Sequence, residues 1–312
     1  RGEGRGWGIL KVVGAIEDKV RTMAEVVKTI SDGSHIALSG FAITRNSMAF
    51  AHELIRQRKR DLTISQCIAA IETDLLVGAG LVKRLIYGGG RCDRFGPFYN
   101  IDRAKLSGEV IAEEYSGLCI CLKYLAGALG IPYMPTRSLG GSDILRRLKE
   151  VAPDKVLESN CPFTGEPLIL LRALEPDVAV IHAQQVDTEG NAVIYGPLFD
   201  TKEKARAAKR IIITAEQIVD VEITKRDPER VVIPGYRVDA VVLAPYGAHP
   251  SSCYRWYDYD KEHIELYLDY CKRGEVQKYI EEYVLSTEDH WEYLKKIGLR
   301  KLYEKKAEPY LG

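Results

Sequence analysis

A single histidine stands in a small-residue loop directly after an apolar run, and this pattern is typical of a ligand-binding loop. The run Ala240-Val-Val-Leu-Ala244 predicts a strand buried on both faces, and Gly247-Ala-His-Pro250 follows it. Open α/β sheets bind ligands beyond the carboxyl ends of their strands, so Gly247 and His249 are predicted to line such a crevice. The alternative that His249 is a solvated loop residue stays open, because its neighbours along the chain are too small to bury it.

Two glycine-rich segments could approach an anion with their backbone amides. Gly88-Gly-Gly90 follows an apolar run and precedes Arg91 and Arg94, and Gly140-Gly-Ser142 has Arg137 nearby. Backbone N–H groups at such turns can bind a phosphate or a carboxylate, and arginine side chains strengthen the contact. A tight turn between two elements is the alternative for both segments. Gly88, Gly89, Gly140 and Gly141 are therefore candidate substrate-binding residues.

Acidic and amide side chains supply further candidates. Glu113-Glu-Tyr-Ser116 precedes an apolar helix, where its charge complements the helix dipole and Ser116 can cap the first turn. This structural role is favoured over a catalytic one for Glu114. Glu72 invites interpretation as a nucleophile. Gln184 follows Val178-Ala-Val-Ile-His-Ala183, and either it or its neighbour could hydrogen-bond a substrate carbonyl or carboxylate, whereas the histidine inside that run is favoured as a core residue.

Composition and missing motifs exclude several function classes. The 44 basic and 44 acidic residues balance, so no net field attracts the chain to nucleic acid or to a membrane surface. The sequence has no H-E-x-x-H, G-x-S-x-G or P-loop motif, and we predict no metal site. Seven cysteines without C-x-x-C spacing predict reduced thiols and a cytoplasmic location. No apolar run approaches the roughly 20 residues that span a bilayer.

Short apolar runs alternate with helical patterns along most of the chain. This alternation predicts an α/β fold, an open, mainly parallel sheet with helices on both faces. We interpret residues 1–18 as an extension outside the fold and residues 19–312 as one domain with C-terminal helices from about residue 261. The predicted strands cover 35–38, 62–68, 82–87, 178–183, 210–215 and 240–244, and the predicted helices cover 23–30, 47–57, 73–81, 117–129, 202–209, 262–279 and 289–297; residues 133–142 are predicted to form a loop.

Several separated segments, in the same order, resemble the α subunits of family I CoA-transferases, in particular the glutaconate CoA-transferase type. The similarity runs from about Val20 to about Leu302. Its segments are Asp32-Gly-Ser-His-Ile-Ala-Leu-Ser-Gly-Phe41, Ile181-His-Ala-Gln-Gln185, Arg226-Asp-Pro228, Ile233-Pro-Gly235, Ala244-Pro-Tyr-Gly-Ala-His-Pro-Ser251 and Tyr257-Asp-Tyr-Asp260.

The resemblance implies an enzyme that moves CoA between an acyl-CoA and a small (di)carboxylate such as glutaconate, with coenzyme A as cosubstrate and no tightly bound cofactor. It implies a β subunit as partner, whose glutamate forms the glutamyl-CoA thioester, and no catalytic residue in this chain. Family β subunits place that glutamate before a Ser-Gly or Gly-Gly turn, which Glu72-Thr73-Asp74 does not match. The loop Ser39-Gly40-Phe41 joins the glycine loops and His249 as candidate substrate-binding residues.

Two other interpretations stay open. A related branch of the superfamily hydrolyses the ring of a steroid-derived CoA thioester, and an α-subunit glutamate takes part there; Glu114 aligns best with that acidic stretch. The fuller match of the segment around His249 favours the transferase. A non-catalytic acyl-CoA-binding protein with the same fold is the other alternative.

Overall fold

A computed structural model describes residues 18–307, which fold around one large sheet and one small sheet. The strands are β1 His35–Leu38, β2 Leu62–Gln66, β3 Val82–Tyr87, β4 Ile111–Glu114, β5 Tyr133–Thr136, β6 Val156–Asn160, β7 Pro167–Arg172, β8 Val178–Asp187, β9 Ala192–Val193, β10 Arg210–Val219, β11 Val231–Ile233 and β12 Ala240–Leu243.

Helices connect most of these strands and form the C-terminal region. They are α1 Met23–Lys28, α2 Met48–Arg56, α3 Ile71–Gly78, α4 Tyr99–Ser107, α5 Gly117–Leu129, α6 Asp143–Val151, α7 Thr201–Ala207, α8 Val221–Arg226, α9 Lys261–Lys272, α10 Val276–Ile280, α11 His290–Ile297 and α12 Leu299–Glu304, with a π-helical turn at Glu281–Leu285. Between residues 18 and 307, no helix combines the length and the apolar character needed to cross a membrane.

The large sheet has a parallel body in the order β12-β10-β8-β1-β2-β3-β4, and β9 and β11 add an antiparallel flank beside the end of β8. From β1 the chain builds outward through β2, β3 and β4, and later through β8, β10 and β12 on the other side. The direction of winding therefore reverses between β1 and β8. In open parallel sheets, the crevice at such a reversal is the usual ligand site.

Alternating strand residues bury two apolar faces. Ile36 and Leu38 face a core shared with α1 to α4, α9 and α10, whereas Ala37 faces a core shared with α5, α6, α7 and the small sheet. Residues pointing to both faces are buried, which explains the nearly continuous apolar runs in the sequence. The predicted fold class is confirmed: the sheet is mainly parallel and carries helices on both faces.

The small sheet was not predicted. Its order is β5-β7-β6, and all its pairs are antiparallel. Residues 133–142 were expected to form a loop, but the first four of them form β5, with Pro135 opposite Leu170. A proline is tolerated there because β5 is an edge strand, where a missing N–H need not break a ladder.

The predicted extension at residues 1–18 lies outside the described residues except for Asp18. The described chain then pairs with the sheet at once, since the Arg21 amide donates to the Val241 carbonyl at 2.8 Å. At the other end α9 begins at Lys261, and Asp260 caps it by accepting a hydrogen bond from the His263 amide.

Candidate functional site

The sheet reversal brings the end of β1 against β8, and Ser39 joins the two strands. The Ser39 amide donates to the Val180 carbonyl at 2.9 Å, and the Ser39 hydroxyl accepts a hydrogen bond from the His182 amide at 3.0 Å. Its carbonyl accepts a hydrogen bond from the Gln66 side chain at 2.9 Å, so β2 is tied to the same point. Ser39 is buried and holds the start of the loop that follows β1.

Gly40 and Phe41 lie in that loop, at the side of the large sheet where its parallel strands end, which we call the carboxyl edge. Gly40 has φ +95°, and a Cβ there would lie 2.6 Å from Asn46 Oδ1 and 2.9 Å from the Arg45 carbonyl oxygen. The ring of Phe41 stacks on that of Phe199, with centroids 4.1 Å apart and planes 9° from parallel. Phe199 is 44% exposed, so the stacked pair presents an apolar surface at the edge.

Gly247 lies beyond β12 and packs on the ring of His182. A Cβ at Gly247 would lie 2.7 Å from His182 Cε1 and 2.6 Å from the Ala244 carbonyl oxygen. His182 is a hydrogen-bonded core histidine, as predicted: Nδ1 lies 2.9 Å from Thr214 Oγ1 and Nε2 lies 2.6 Å from Glu216 Oε1. The glycine is therefore needed for packing between two strand ends.

Glu216 is a central buried group that sequence reasoning missed. It accepts hydrogen bonds from the Tyr257 hydroxyl at 2.5 Å and from the Tyr246 amide at 2.6 Å, in addition to its contact with His182. These partners hold the loop after β12 on the end of β10. A glutamate within an apolar strand was the available signal, but its partners are distant in sequence.

One group of side chains within residues 18–307 has the arrangement of metal ligands. Ligand atoms of His182, Glu216 and Cys253 lie within 4.8 Å of one another. The donor set does not fit a metal, because burial raises the pKa of the Cys253 thiol well above its usual value and the glutamate oxygens already accept hydrogen bonds from Tyr257 and Tyr246.

Gly88 and Gly89 follow β3 and have different surroundings. A Cβ at Gly88 would lie 2.6 Å from the Cys67 carbonyl oxygen and 2.7 Å from Gly117 Cα, so this residue allows close packing of β3 on the start of α5. Gly89 has φ +109° and no atom within 4 Å of its Cβ position. Gly88 thus fits the alternative of a tight turn between two elements. Gly89 is the glycine of the two that has free space at its Cβ position.

Gln184 and His249 do not project freely into the crevice. The strand that holds Gln184 runs to Asp187, past its predicted end. The side-chain Nε2 of Gln184 donates to the backbone carbonyls of Tyr195 and Tyr254, both at 3.1 Å. The expectation of a solvated His249 is wrong. Only 3% of His249 is exposed, because the C-terminal helices cover it: Nδ1 lies 2.7 Å from the Tyr293 hydroxyl and Nε2 lies 3.1 Å from Asp260 Oδ2.

The remaining candidate residues lie apart from the point between β1 and β8 where the direction of winding reverses. Gly140 and Gly141 line a groove with β6 and β7 of the small sheet, beside Arg137. Glu114 ends β4 at the sheet edge, where it pairs with Lys105 and accepts a hydrogen bond from the Tyr87 hydroxyl at 3.3 Å. The predicted cap is confirmed, since the Ser116 hydroxyl accepts a hydrogen bond from the Cys119 amide at 3.2 Å.

Glu72 is buried in the first turn of α3, beneath the loop after β1. Gln66 Nε2 donates to both Glu72 Oε1 and the Ser39 carbonyl at 2.9 Å, whereas Glu72 Oε2 is buried without a hydrogen-bond partner. Burial raises the pKa of Glu72 to about 7. This carboxyl group is therefore closed off from the solvent at the edge, and Gln66 links it to the start of the loop after β1.

Replacing Glu72 with glutamine should stabilise the fold above neutral pH. Because the folded-state pKa is raised from 4.5 to about 7, the contribution of Glu72 to stability is lost as the pH rises through that range. We expect the variant to gain up to about 3 kcal/mol over the wild type at pH 8.5 and little at pH 4.5. Urea unfolding of both proteins across this range measures the difference, and a gain independent of pH would contradict it.

The carboxyl edge as a whole favours negative charge. Helices α2, α3 and α5 follow β1, β2 and β4, so their amino ends lie at this edge and carry partial positive charge. The buried Arg45 donates to the His182 carbonyl at 3.0 Å and to Thr201 Oγ1 at 3.1 Å. Glu72 and Glu216 are buried, and Glu114 is paired. This edge can thus bind and orient an anion, but these three glutamates are not placed to act as a nucleophile.

Comparisons with known proteins agree with this architecture. Residues 20–244 match the family model described as Coenzyme A transferase. The A subunit of glutaconate CoA-transferase from Acidaminococcus fermentans is 37% identical, over 94% of this chain and 96% of its own length. The A subunit of 3-oxoadipate CoA-transferase from Pseudomonas knackmussii is 35% identical, over 89% and 97%. The IpdA subunit of the cholesterol ring-cleaving hydrolase of Rhodococcus jostii is 28% identical, over 93% and 98%.

The crystal structure of glutaconate coenzyme A-transferase from A. fermentans superposes with a TM-score of 0.90 at 36% identity, and covers 94% of this chain and 97% of the solved chain. The resemblance found in the sequence and the prediction of a CoA-transferase enzyme are confirmed. Since the family match includes every strand of the large sheet and the loops at its carboxyl edge as far as Ala244, the chain belongs to the coenzyme A transferase family.

Proposed function

We propose that the chain is the α subunit of a heteromeric CoA-transferase that moves CoA between an acyl-CoA and a small dicarboxylate such as glutaconate. The observation that carries the proposal is the similarity to the A subunit of glutaconate CoA-transferase, which extends over 94% of the chain. Another relative is named for 3-oxoadipate, which is also a dicarboxylate. The amino ends of α2, α3 and α5 suit substrates of this charge.

The chemistry requires a nucleophilic carboxylate, and we assign it to the β subunit because, within residues 18–307, Glu72 and Glu216 are buried and Glu114 is paired with Lys105. A glutamate of the β subunit attacks the thioester carbonyl and expels the CoA thiolate, which leaves a mixed anhydride. The thiolate then attacks the glutamyl carbonyl, releases the first acid and leaves a glutamyl-CoA thioester. The acceptor carboxylate reverses these steps. Each step exchanges one acyl bond for another, and exclusion of water preserves the anhydride.

In this proposal the chain binds and orients the substrates. The Ser39-Gly40-Phe41 loop, Gly89 and the turn at Gly247 line the crevice beside the partner's glutamate. Gln184 holds the flanking loops at Tyr195 and Tyr254. His249 keeps the loop after β12 on the C-terminal helices, and Gly140 and Gly141 face the region where the small sheet would meet a ligand or the β subunit.

The proposal is tested with this chain co-purified with its β subunit. Acetyl-CoA and glutaconate should yield glutaconyl-CoA and acetate, followed by mass spectrometry, and hydroxylamine should release CoA from a peptide of the β subunit only. A CoA adduct on a carboxylate of this chain would contradict the assignment of roles. Release of free CoA, or ring opening of a steroid-derived CoA thioester, without acyl exchange would favour the hydrolase, to which a relative at 28% identity points.

A further inference from the structure

One cavity lies toward the amino ends of β1, β2 and β3, on the side away from the carboxyl edge, and is lined by basic side chains. It has a volume of about 320 Å³ and lies between the large sheet, α5 and the end of β7. Arg84, Lys123, Lys155 and Arg172 line it, together with His35 at the start of β1. Arg84, in this cavity, precedes Gly88, at the carboxyl edge, by four residues. At about 3.3 Å per residue along β3, the cavity and that edge are roughly 13 Å apart.

The charges around this cavity do not balance. Arg84 and Lys155 both donate to Glu113 Oε1, and the Tyr115 hydroxyl lies 3.3 Å from the other oxygen of that buried carboxylate. The third cation, Lys123, has no carboxylate partner. Its ammonium donates to the Arg172 carbonyl at 2.8 Å and lies 4.6 Å from the centre of the Tyr115 ring. One buried carboxylate therefore pairs with two of these cations and acts on Lys123 only through its charge.

Lys123 is the strongest sign of a ligand. Its side chain is fully buried, and a buried ammonium is costly without an opposing charge. Burial lowers the pKa of Lys123 to about 8, so at pH 7 the group keeps its proton. Arg172 stands at the rim, paired with Asp154 at 3.2 Å and 63% exposed, and Glu175 is the one acid among the residues that line the cavity.

We propose that this cavity is a binding site for a phosphate group, held by Lys123 in the interior and by Arg172 at the rim, and separate from the carboxyl-edge crevice. A phosphate oxygen would give the ammonium of Lys123 its missing partner, and the guanidinium of Arg172 would bind a second oxygen by charge-assisted hydrogen bonds. The inference does not depend on the transferase activity. The phosphate is either a free ion or part of a larger molecule.

Calorimetric titration of the full chain in chloride buffer at pH 7 tests the site, with inorganic phosphate and coenzyme A as separate probes. We expect saturable binding of at least one probe, about tenfold weaker in Arg172→Gln and absent in Lys123→Met. Arg300→Gln is the matched control, because Arg300 is also exposed and paired with an acid, Glu304 at 3.1 Å on α12.

Binding of phosphate assigns the free ion, and binding of coenzyme A alone that Arg172→Gln weakens assigns a phosphate on a larger ligand. If Lys123→Met does not fold, Arg172→Gln still decides, since its side chain is at the surface. The proposal is overturned if neither probe binds saturably, or if the wild type and Arg172→Gln bind both probes equally.

Discussion

Replacing Gly40 with alanine should lower the kcat/KM of CoA exchange by about a hundredfold in the assembled enzyme. The new methyl group would lie 2.6 Å from Asn46 Oδ1 and 2.9 Å from the Arg45 carbonyl oxygen, so the loop after β1 must move. That loop also carries Arg45, which holds the His182 carbonyl. A displacement of about 1 Å in a positioning loop costs on the order of 10²-fold in rate.

Gly108→Ala is the matched control for this substitution. Gly108 has φ +77° and ends α4 before β4 begins, at the opposite edge of the sheet, and no atom lies within 4 Å of its Cβ position. Both variants therefore carry the strain of a left-handed alanine, about 1 to 2 kcal/mol, and only Gly40→Ala adds the clash. We expect Gly108→Ala to keep activity within about tenfold of the wild type.

Steady-state exchange kinetics and urea unfolding of both variants separate the two effects. A loss of activity in Gly40→Ala that is larger than in Gly108→Ala, measured where both variants are fully folded, would support a positioning role for the loop. Equal activities of the two variants would remove the Gly40 loop from the site.

The parallel sheet was predictable because its information is local. Short apolar runs predicted β1, β3 and most of β8 and β10, and the helix at 117–129 begins and ends as predicted, with Ser116 as its cap. The small sheet was missed because its strands carry few buried residues: β5 has none, β6 has only Val156, and β7 begins with Pro167. Its stability comes from pairing and from packing on α5 and α6, not from local pattern.

The site was predictable only in part, because side-chain partners come from distant segments. The place of Gly40 and Gly247 at strand ends followed from the alternation of elements. The burial of His249 did not, since it depends on Tyr293, 44 residues away. The same holds for Glu216, which Tyr257 and the loop after β12 enclose. Small neighbours along the chain say little about what covers a loop from another element.

Replacing His52 with phenylalanine should make the protein more resistant to acid. His52 is on α2, 1% exposed, and both its ring nitrogens are buried without a hydrogen-bond partner. It faces Tyr293 edge-on at 4.7 Å, and His249, His263, His290 and Arg56 lie close enough to disfavour its protonation. Burial therefore keeps this histidine neutral in the folded state and lowers its pKa well below 6.5.

The sign of the pH effect follows from proton binding. Burial lowers the pKa of His290 to about 4 and that of His263 to about 3, so all three histidines bind fewer protons in the folded than in the unfolded state. Their contribution to stability is fully present above pH 6.5 and is lost as the pH falls toward the folded-state pKa values. Glu72 and Asp74, with pKa values raised to about 7 and about 6, act in the opposite direction and offset part of the loss.

Phenylalanine removes one of these titrations without breaking a hydrogen bond. We expect the variant to lie within about 1 kcal/mol of the wild type at pH 8 and to gain about 2 kcal/mol relative to it at pH 5, because that is the cost of withholding one proton from a group with an unfolded-state pKa of 6.5. Urea unfolding at the two pH values measures the change. His249→Phe is the contrasting variant, since it loses contacts with Tyr293 and Asp260 and should be destabilised already at pH 8. An equal effect of His52→Phe at both pH values would show that His52 can take up a proton in the folded protein.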